Sequence, residues 1–101
     1  MTNPNTNLYL NQLRKLVNEH IKGHKVKVYL FGSRAKGKER KLSDVDLALL
    51  PLEPLPSDFL SNLKDKIDES TIPYFVDVID LTQVDKEFRE KILSEAIEWK
   101  D

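Results

Sequence analysis

Two short segments carry residue types and spacings that suit phosphate chemistry. Gly32-Ser33 follows an alternating apolar stretch, and Ser43-Asp44-Val45-Asp46 opens the next apolar stretch about ten residues later. A glycine after a strand lets the backbone turn sharply and approach a ligand, while Ser33 and the amides behind it offer donors to phosphate oxygens. Asp44 and Asp46 stand two apart, so in an extended chain both carboxylates leave the same face. Carboxylate oxygens are the ligands Mg²⁺ prefers, and a pair of them beside bound phosphates is what two-metal phosphoryl or nucleotidyl transfer needs. A third carboxylate should come from a neighbouring strand, and Phe75-Val76-Asp77-Val78-Ile79-Asp80 offers two. Asp77 is preferred, as a buried mid-strand charge that needs a reason, whereas Asp80 at the strand end can reach solvent or cap a turn.

Each half alone is weak. Acid-x-acid pairs are common in a chain with 17 acidic residues, Asp85 and Glu87 forming another, and most Gly-Ser pairs are plain turns. The combination, in the right strand contexts, carries the reading. Between the halves lie Arg34, Lys36, Lys38, Arg40 and Lys41, where a triphosphate's charge would sit. Arg34 is the first choice for a phosphate contact, and the other four read as a solvated loop. Lys25 and Lys27 read as the outer face of an edge strand. His20 and His24 flank Gly23 at a helix end and read as surface groups or a charge at the helix C-terminus. Trp99 reads as core packing, with contact to a partner as the alternative.

The elements that must position these residues follow from periodicity. Leu10, Leu13, Leu16, Val17 and Ile21 recur at helical intervals from Asn7 to Lys22, with Gly23 at the C-cap position. Lys25 to Phe31 alternates like a strand, with Val26, Val28 and Leu30 on one face. Residues 32 to 43 can hold a tight turn, a short helix and an exposed loop. Asp44 to Leu50 reads as a buried strand, stopped by Pro51, Pro54 and Pro56. Ser57 can N-cap a helix with Phe59, Leu60, Leu63 and Ile67 on one side, and Pro73 leads into a third strand, Tyr74 to Leu81. Val84, Phe88, Ile92, Leu93, Ala96 and Ile97 keep helical spacing to Trp99. The order α-β-(short α)-β-α-β-α predicts an α/β (α+β) fold, a small mixed sheet of three or more strands backed by helices.

With 101 residues, 40% hydrophobic and 33% charged, the chain reads as a single domain over residues 1–101 with one core. No apolar run approaches the roughly 18 residues of a membrane span, and the polar N-terminus lacks a signal-peptide order, so a soluble, cytoplasmic protein is expected. The absence of cysteine excludes disulfides, thiolate zinc sites and a cysteine nucleophile. The net charge of -1 hides an asymmetry: ten basic residues against two acidic give +8 up to Ser43, and six against fifteen give -9 from Asp44 onward. The boundary falls inside the motif. No stacking aromatics interleave residues 34 to 41, so nucleic acid is not an expected partner. A receiver-type phosphoacceptor would place adjacent acids after its first strand and would have no use for the Gly-Ser turn.

The run GSRAKGKERKLSDVDLALL, with FVDVIDL downstream, resembles the minimal nucleotidyltransferases of the DNA polymerase beta-like superfamily. Gly32, Ser33, Ala35, Gly37, Ser43, Asp44, Asp46 and Leu47 fall on that family's motif, and Asp77 best matches its later aspartate. The resemblance implies that Asp44 and Asp46 hold two Mg²⁺ ions, that Asp77 completes the metal site at the attacking hydroxyl, and that Gly32 and Ser33, with Arg34 and Ser43 nearby, bind the nucleotide. Small members resemble the antitoxin half of a two-gene module whose other half is an all-helical HEPN toxin. The resemblance therefore implies transfer of AMP from ATP to a hydroxyl on that partner. The alternative is a binding module that neutralises a helical partner without catalysis. The nucleotide base, the acceptor residue and any homo-oligomer are left open by the sequence.

Overall fold

The structure is a computed structural model, and it describes residues 4–32 and 45–99, with side chains from Leu8 onward in the first helix. Helix α1 (Pro4–Ile21) starts with a proline, whose fixed φ suits a first helical position, and buries Leu13 and Val17 completely. It ends as expected at Gly23, where φ is +86°, while His24 N–H donates to the Ile21 carbonyl. Strand β1 (Val26–Phe31) pairs antiparallel with β2 (Val45–Pro51), which pairs parallel with β3 (Val76–Asp80). Between β2 and β3 runs α2 (Phe59–Asp68), whose Phe59, Leu63 and Ile67 are buried at three- and four-residue spacing. After β3 a short 3₁₀ turn (Leu81–Gln83) leads to α3 (Lys86–Glu95), and then to a short strand β4 (Ile97–Trp99). The sheet order is β3-β2-β1-β4.

Two layers of helix cover this sheet. On one face Val28, Leu30, Val45, Leu47, Leu49 and Val78 pack against Leu13 and Val17 of α1 and Phe59, Leu63 and Ile67 of α2. On the other, Ile92 and Leu93 of α3 pack over Ala48, Leu50, Ile79, Tyr29 and Phe31. Each fully buried leucine removes enough apolar surface from water to stabilise the fold by about 1.5–3 kcal/mol. His20 joins the two helices of the first face: its Nε2 lies 2.9 Å from the Phe59 carbonyl oxygen, and the rings of His20 and His24 lie 4.5 and 5.1 Å from that of Phe59. His20 is therefore a tie between α1 and α2 rather than a plain surface residue.

Four expectations are corrected. The last helix does not reach Trp99: Ala96 is extended, and the chain pairs as β4 with β1, placing Trp99 opposite Val28 and Ile97 opposite Leu30. Ile97 and Trp99 fit both a helical and an alternating pattern, and the unfilled edge of β1 decides between them. Consequently β1 is an inner strand, although β4 reaches only Val28–Leu30 and leaves Lys27 exposed beyond its end. Ser57 does not cap α2. Asp58 occupies that position with no side-chain cap bond, and Ser61 Oγ donates to its carbonyl. The third strand is shorter than Tyr74 to Leu81 because Tyr74 turns into the core, against Tyr9 at 5.9 Å, and Leu81 begins the 3₁₀ turn.

Trp99 packs on the first core cluster, with the Arg14 guanidinium 6.0 Å from its ring centroid. Its neighbour Glu98 faces the other way, opposite Tyr29. Burial, and then the negative charge of Glu98, raise the Tyr29 phenol above its usual 10.0. Among the described residues no helix is long and apolar enough to cross a membrane.

Candidate active site

Register brings the sequence-predicted residues together. Phe31, the last residue of β1, faces Asp46 across the antiparallel ladder, and Asp46 faces Asp77 across the parallel one. Neighbouring strands lie about 4.8 Å apart, and residues paired in register point to the same face, so the two carboxylates stand side by side. Gly32 follows Phe31 directly and holds φ +80°, a conformation that glycine adopts without strain. A Cβ at that position would overlap the Asp46 carboxylate at Oδ2. Glycine is thus needed twice, for the turn and for the space the carboxylate occupies. The backbone of the proposed phosphate cradle and the first described carboxylate are in direct contact.

Asp46 is half-buried, with Val45 and Leu47 on either side of it facing the core. Asp77 is exposed, which corrects the expectation of a buried mid-strand charge. Two features explain it. β3 is the edge strand, and α3 on that face packs against β1, in an apolar cluster that takes in Tyr29, Phe31, Ala48 and Ile79 but not Asp77. The row that carries Asp46 and Asp77 is left open at its β3 end. Asp80 behaves as expected of a strand-end acid: its Oδ1 accepts from Thr82 N–H at 2.8 Å and from Thr82 Oγ1 at 2.7 Å, capping the 3₁₀ turn.

The open row forms a cleft of about 510 Å³ lined by Asp46, Phe75, Val76 and Asp77. Two carboxylates on adjacent strands, facing one cleft, are hard oxygen donors of the kind Mg²⁺ takes. Among the described residues there is no cluster of three metal-binding side chains. Ser33, Arg34, Ser43 and Asp44 lie outside the described residues, as do Lys36, Lys38, Arg40 and Lys41. Phe75 was assigned no role by the sequence, yet it lines the cleft and is 82% exposed. The available signal was its two-residue spacing from Asp77, which sets both on one face of an extended chain.

Residues 11–98 match the family model for polymerase beta nucleotidyltransferases. The chain belongs to this family. Over 67 residues, 64% of this chain and 57% of the relative, it is 48% identical to a Haemophilus influenzae protein named Probable protein adenylyltransferase MntA. The match therefore spans little more than half of that relative's length. A solved toxin–antitoxin structure with AMP-PNP superposes with a TM-score of 0.70 at 26% identity, over 90% of this chain and 73% of that one. The structure of a minimal nucleotidyltransferase gives 0.70 at 29% identity, over 87% and 90%. The mixed four-strand sheet backed by helices is the nucleotidyltransferase fold, with Asp46 and Asp77 in one row at one end of the sheet and Gly32 in the turn just past it.

Proposed function

We propose that this nucleotidyltransferase domain moves AMP from ATP to a hydroxyl on a protein partner, as the antitoxin of an all-helical HEPN toxin. The observation that carries the reading is the Gly32–Asp46–Asp77 cluster: a positive-φ glycine in contact with one carboxylate, which is paired in register with another. The likeness to an adenylyltransferase relative and to a toxin–antitoxin structure with AMP-PNP supports the choice of nucleotide and of partner kind.

In the proposed reaction the acceptor oxygen attacks the α-phosphorus in line, the new P–O bond forms as the α–β bridge breaks, and pyrophosphate leaves. The open turn at Gly32 lets backbone amides approach the β and γ phosphates, with Ser33, Arg34 and Ser43 as further contacts. Asp46, fixed on an inner strand, sets the position of the α-phosphate relative to that turn. Asp77, on the exposed edge strand, faces the incoming acceptor, orients its hydroxyl and can take its proton. Asp44, Asp46 and Asp77 would together hold Mg²⁺, two ions by the family resemblance. When bound, the metal supplies charge stabilisation at the α-phosphate and the leaving pyrophosphate.

The test is transfer of label from α-labelled ATP to the purified helical partner in the presence of Mg²⁺. The wild-type protein labels the partner, while Asp44→Asn and Asp46→Asn abolish labelling without loss of the fold by circular dichroism. Labelling that survives both substitutions overturns the assignment. Protection of cells from the toxin by the Asp46→Asn protein would instead favour neutralisation by binding alone.

A further inference from the structure

Phe75 stands out among the large apolar residues described on this surface. It is 82% exposed, against 58% for Leu52, 55% for Leu8, 50% for Ile97 and 45% for Phe88. Leaving such a ring in water forgoes about 1.5–3 kcal/mol of burial, so its placement asks for a use. The backbone beneath it is fixed. The Phe75 carbonyl accepts from Val45 N–H at 2.8 Å, Tyr74 on one side is buried against Tyr9, and Val76 on the other packs on the core and enters β3. The ring is therefore held outward by anchored neighbours, on the wall of the cleft that also contains Asp46 and Asp77.

Sheet order says which substrate it meets. Gly32, after β1, lies on one side of Asp46, and Asp77 and Phe75 lie on the other, at the edge formed by β3. With the β and γ phosphates at the Gly32 turn and the α-phosphorus beside Asp46, a nucleophile in line with the leaving pyrophosphate approaches from the side of Asp77 and Phe75. The space beside Asp77 and Phe75 is where an attacking hydroxyl must enter. We infer that Phe75 is a positioning residue for the acceptor: its ring packs on an apolar or aromatic side chain that carries, or immediately flanks, the acceptor hydroxyl of the partner protein. This rests on the transferase reading above. Asp77 acts on the hydroxyl itself, and Phe75 aligns the segment that presents it. An exposed acceptor hydroxyl flanked only by acidic side chains would gain nothing from the ring.

The experiment is a steady-state labelling assay with the full chain, Mg²⁺, α-labelled ATP and the helical partner, varying each substrate in turn. Phe75→Ala raises KM for the partner by about tenfold, the loss typical of truncating a central aromatic contact. It leaves KM for ATP, and binding of a non-hydrolysable ATP analogue, within about twofold of wild type. Phe75→Tyr restores most of the partner KM, which a purely structural role of an exposed ring would not require. A rise in KM for ATP with the partner KM unchanged overturns the inference and makes the ring a base platform. Unchanged values for both also overturn it, while the transferase reading stands. If the wild-type protein fails to label the partner at all, the transferase reading falls and the inference falls with it.

Discussion

The two ends of the sheet differ in what they do with their acids. At one end Asp46 and Asp77 face a cleft of about 510 Å³. At the other, the proline-rich exit from β2 forms a larger concavity of about 660 Å³ lined by Leu49, Pro51 to Ser57, Phe59, Leu60, Asp80, Thr82 and Gln83. Volume alone would place the functional site at the proline end. The chemistry points the other way. Asp80 is engaged by Thr82, and Glu53 Oε1 accepts the Lys25 N–H at 2.9 Å, so both acids at the proline end cap backbone. Asp77 caps nothing that the structure describes, shares its row with Asp46, and faces open space. The same residue type closes a turn at one end and is offered to a ligand at the other.

Substitutions at each end should separate these roles. Asp77→Asn keeps the shape but removes a charge, so transfer should fall by roughly a hundredfold or more, since several kcal/mol of charge stabilisation are at stake. Its melting temperature should stay near wild type, and a large drop would mean that Asp77 is structural, as Asp80 is. Gly32→Ala should damage both properties. The positive φ costs roughly 1–2 kcal/mol for a residue with Cβ, and the methyl displaces the Asp46 carboxylate, so urea unfolding and labelling should both be impaired.

Asp80→Ala is the converse of Asp77→Asn. Loss of the cap should cost about 1 kcal/mol in denaturant unfolding, with transfer by the folded protein changed little. A large catalytic defect there would erase the contrast between the two ends. The smallest effect concerns pH. Because Tyr29 has a raised pKa in the folded state, the unfolded chain loses that proton first as pH rises past 10.0. The Tyr29 contribution is fully present below that pH and is lost as pH climbs toward the folded-state value. Tyr29→Phe should therefore show a shallower alkaline loss of stability in melting curves taken above pH 10 than wild type.

Local pattern made much of this legible. The leucine spacing of α1, the alternation of β1 and the apolar run of β2 each follow from one element burying one face, and the Gly-Ser and Asp-x-Asp segments flank the β1 to β2 connection. What was not legible depended on where distant elements pack. Asp77 sits between valines and suggests burial, but it lies on the edge strand while α3 packs against β1. Ile97 and Trp99 continue a helical spacing, yet the free edge of a strand formed about seventy residues earlier in the sequence captures them as β4. Phe75 looked like one more apolar strand residue, and only the open edge beside β3 reveals its exposure. Each surprise arises where periodicity fixes a residue's face but tertiary placement fixes whether that face is covered.

The facing of Phe31 and Asp46 has a consequence for how such a chain can change over generations. The connection after Gly32 leaves and rejoins the sheet at neighbouring rungs of one ladder, so the distance between its ends is set by the ladder and not by the length of the connection. Doubling the length of such a closed segment costs only about 0.6 kcal/mol in closure entropy. By that cost alone, a longer connection between Gly32 and Val45 would leave Gly32 and Asp46 in contact.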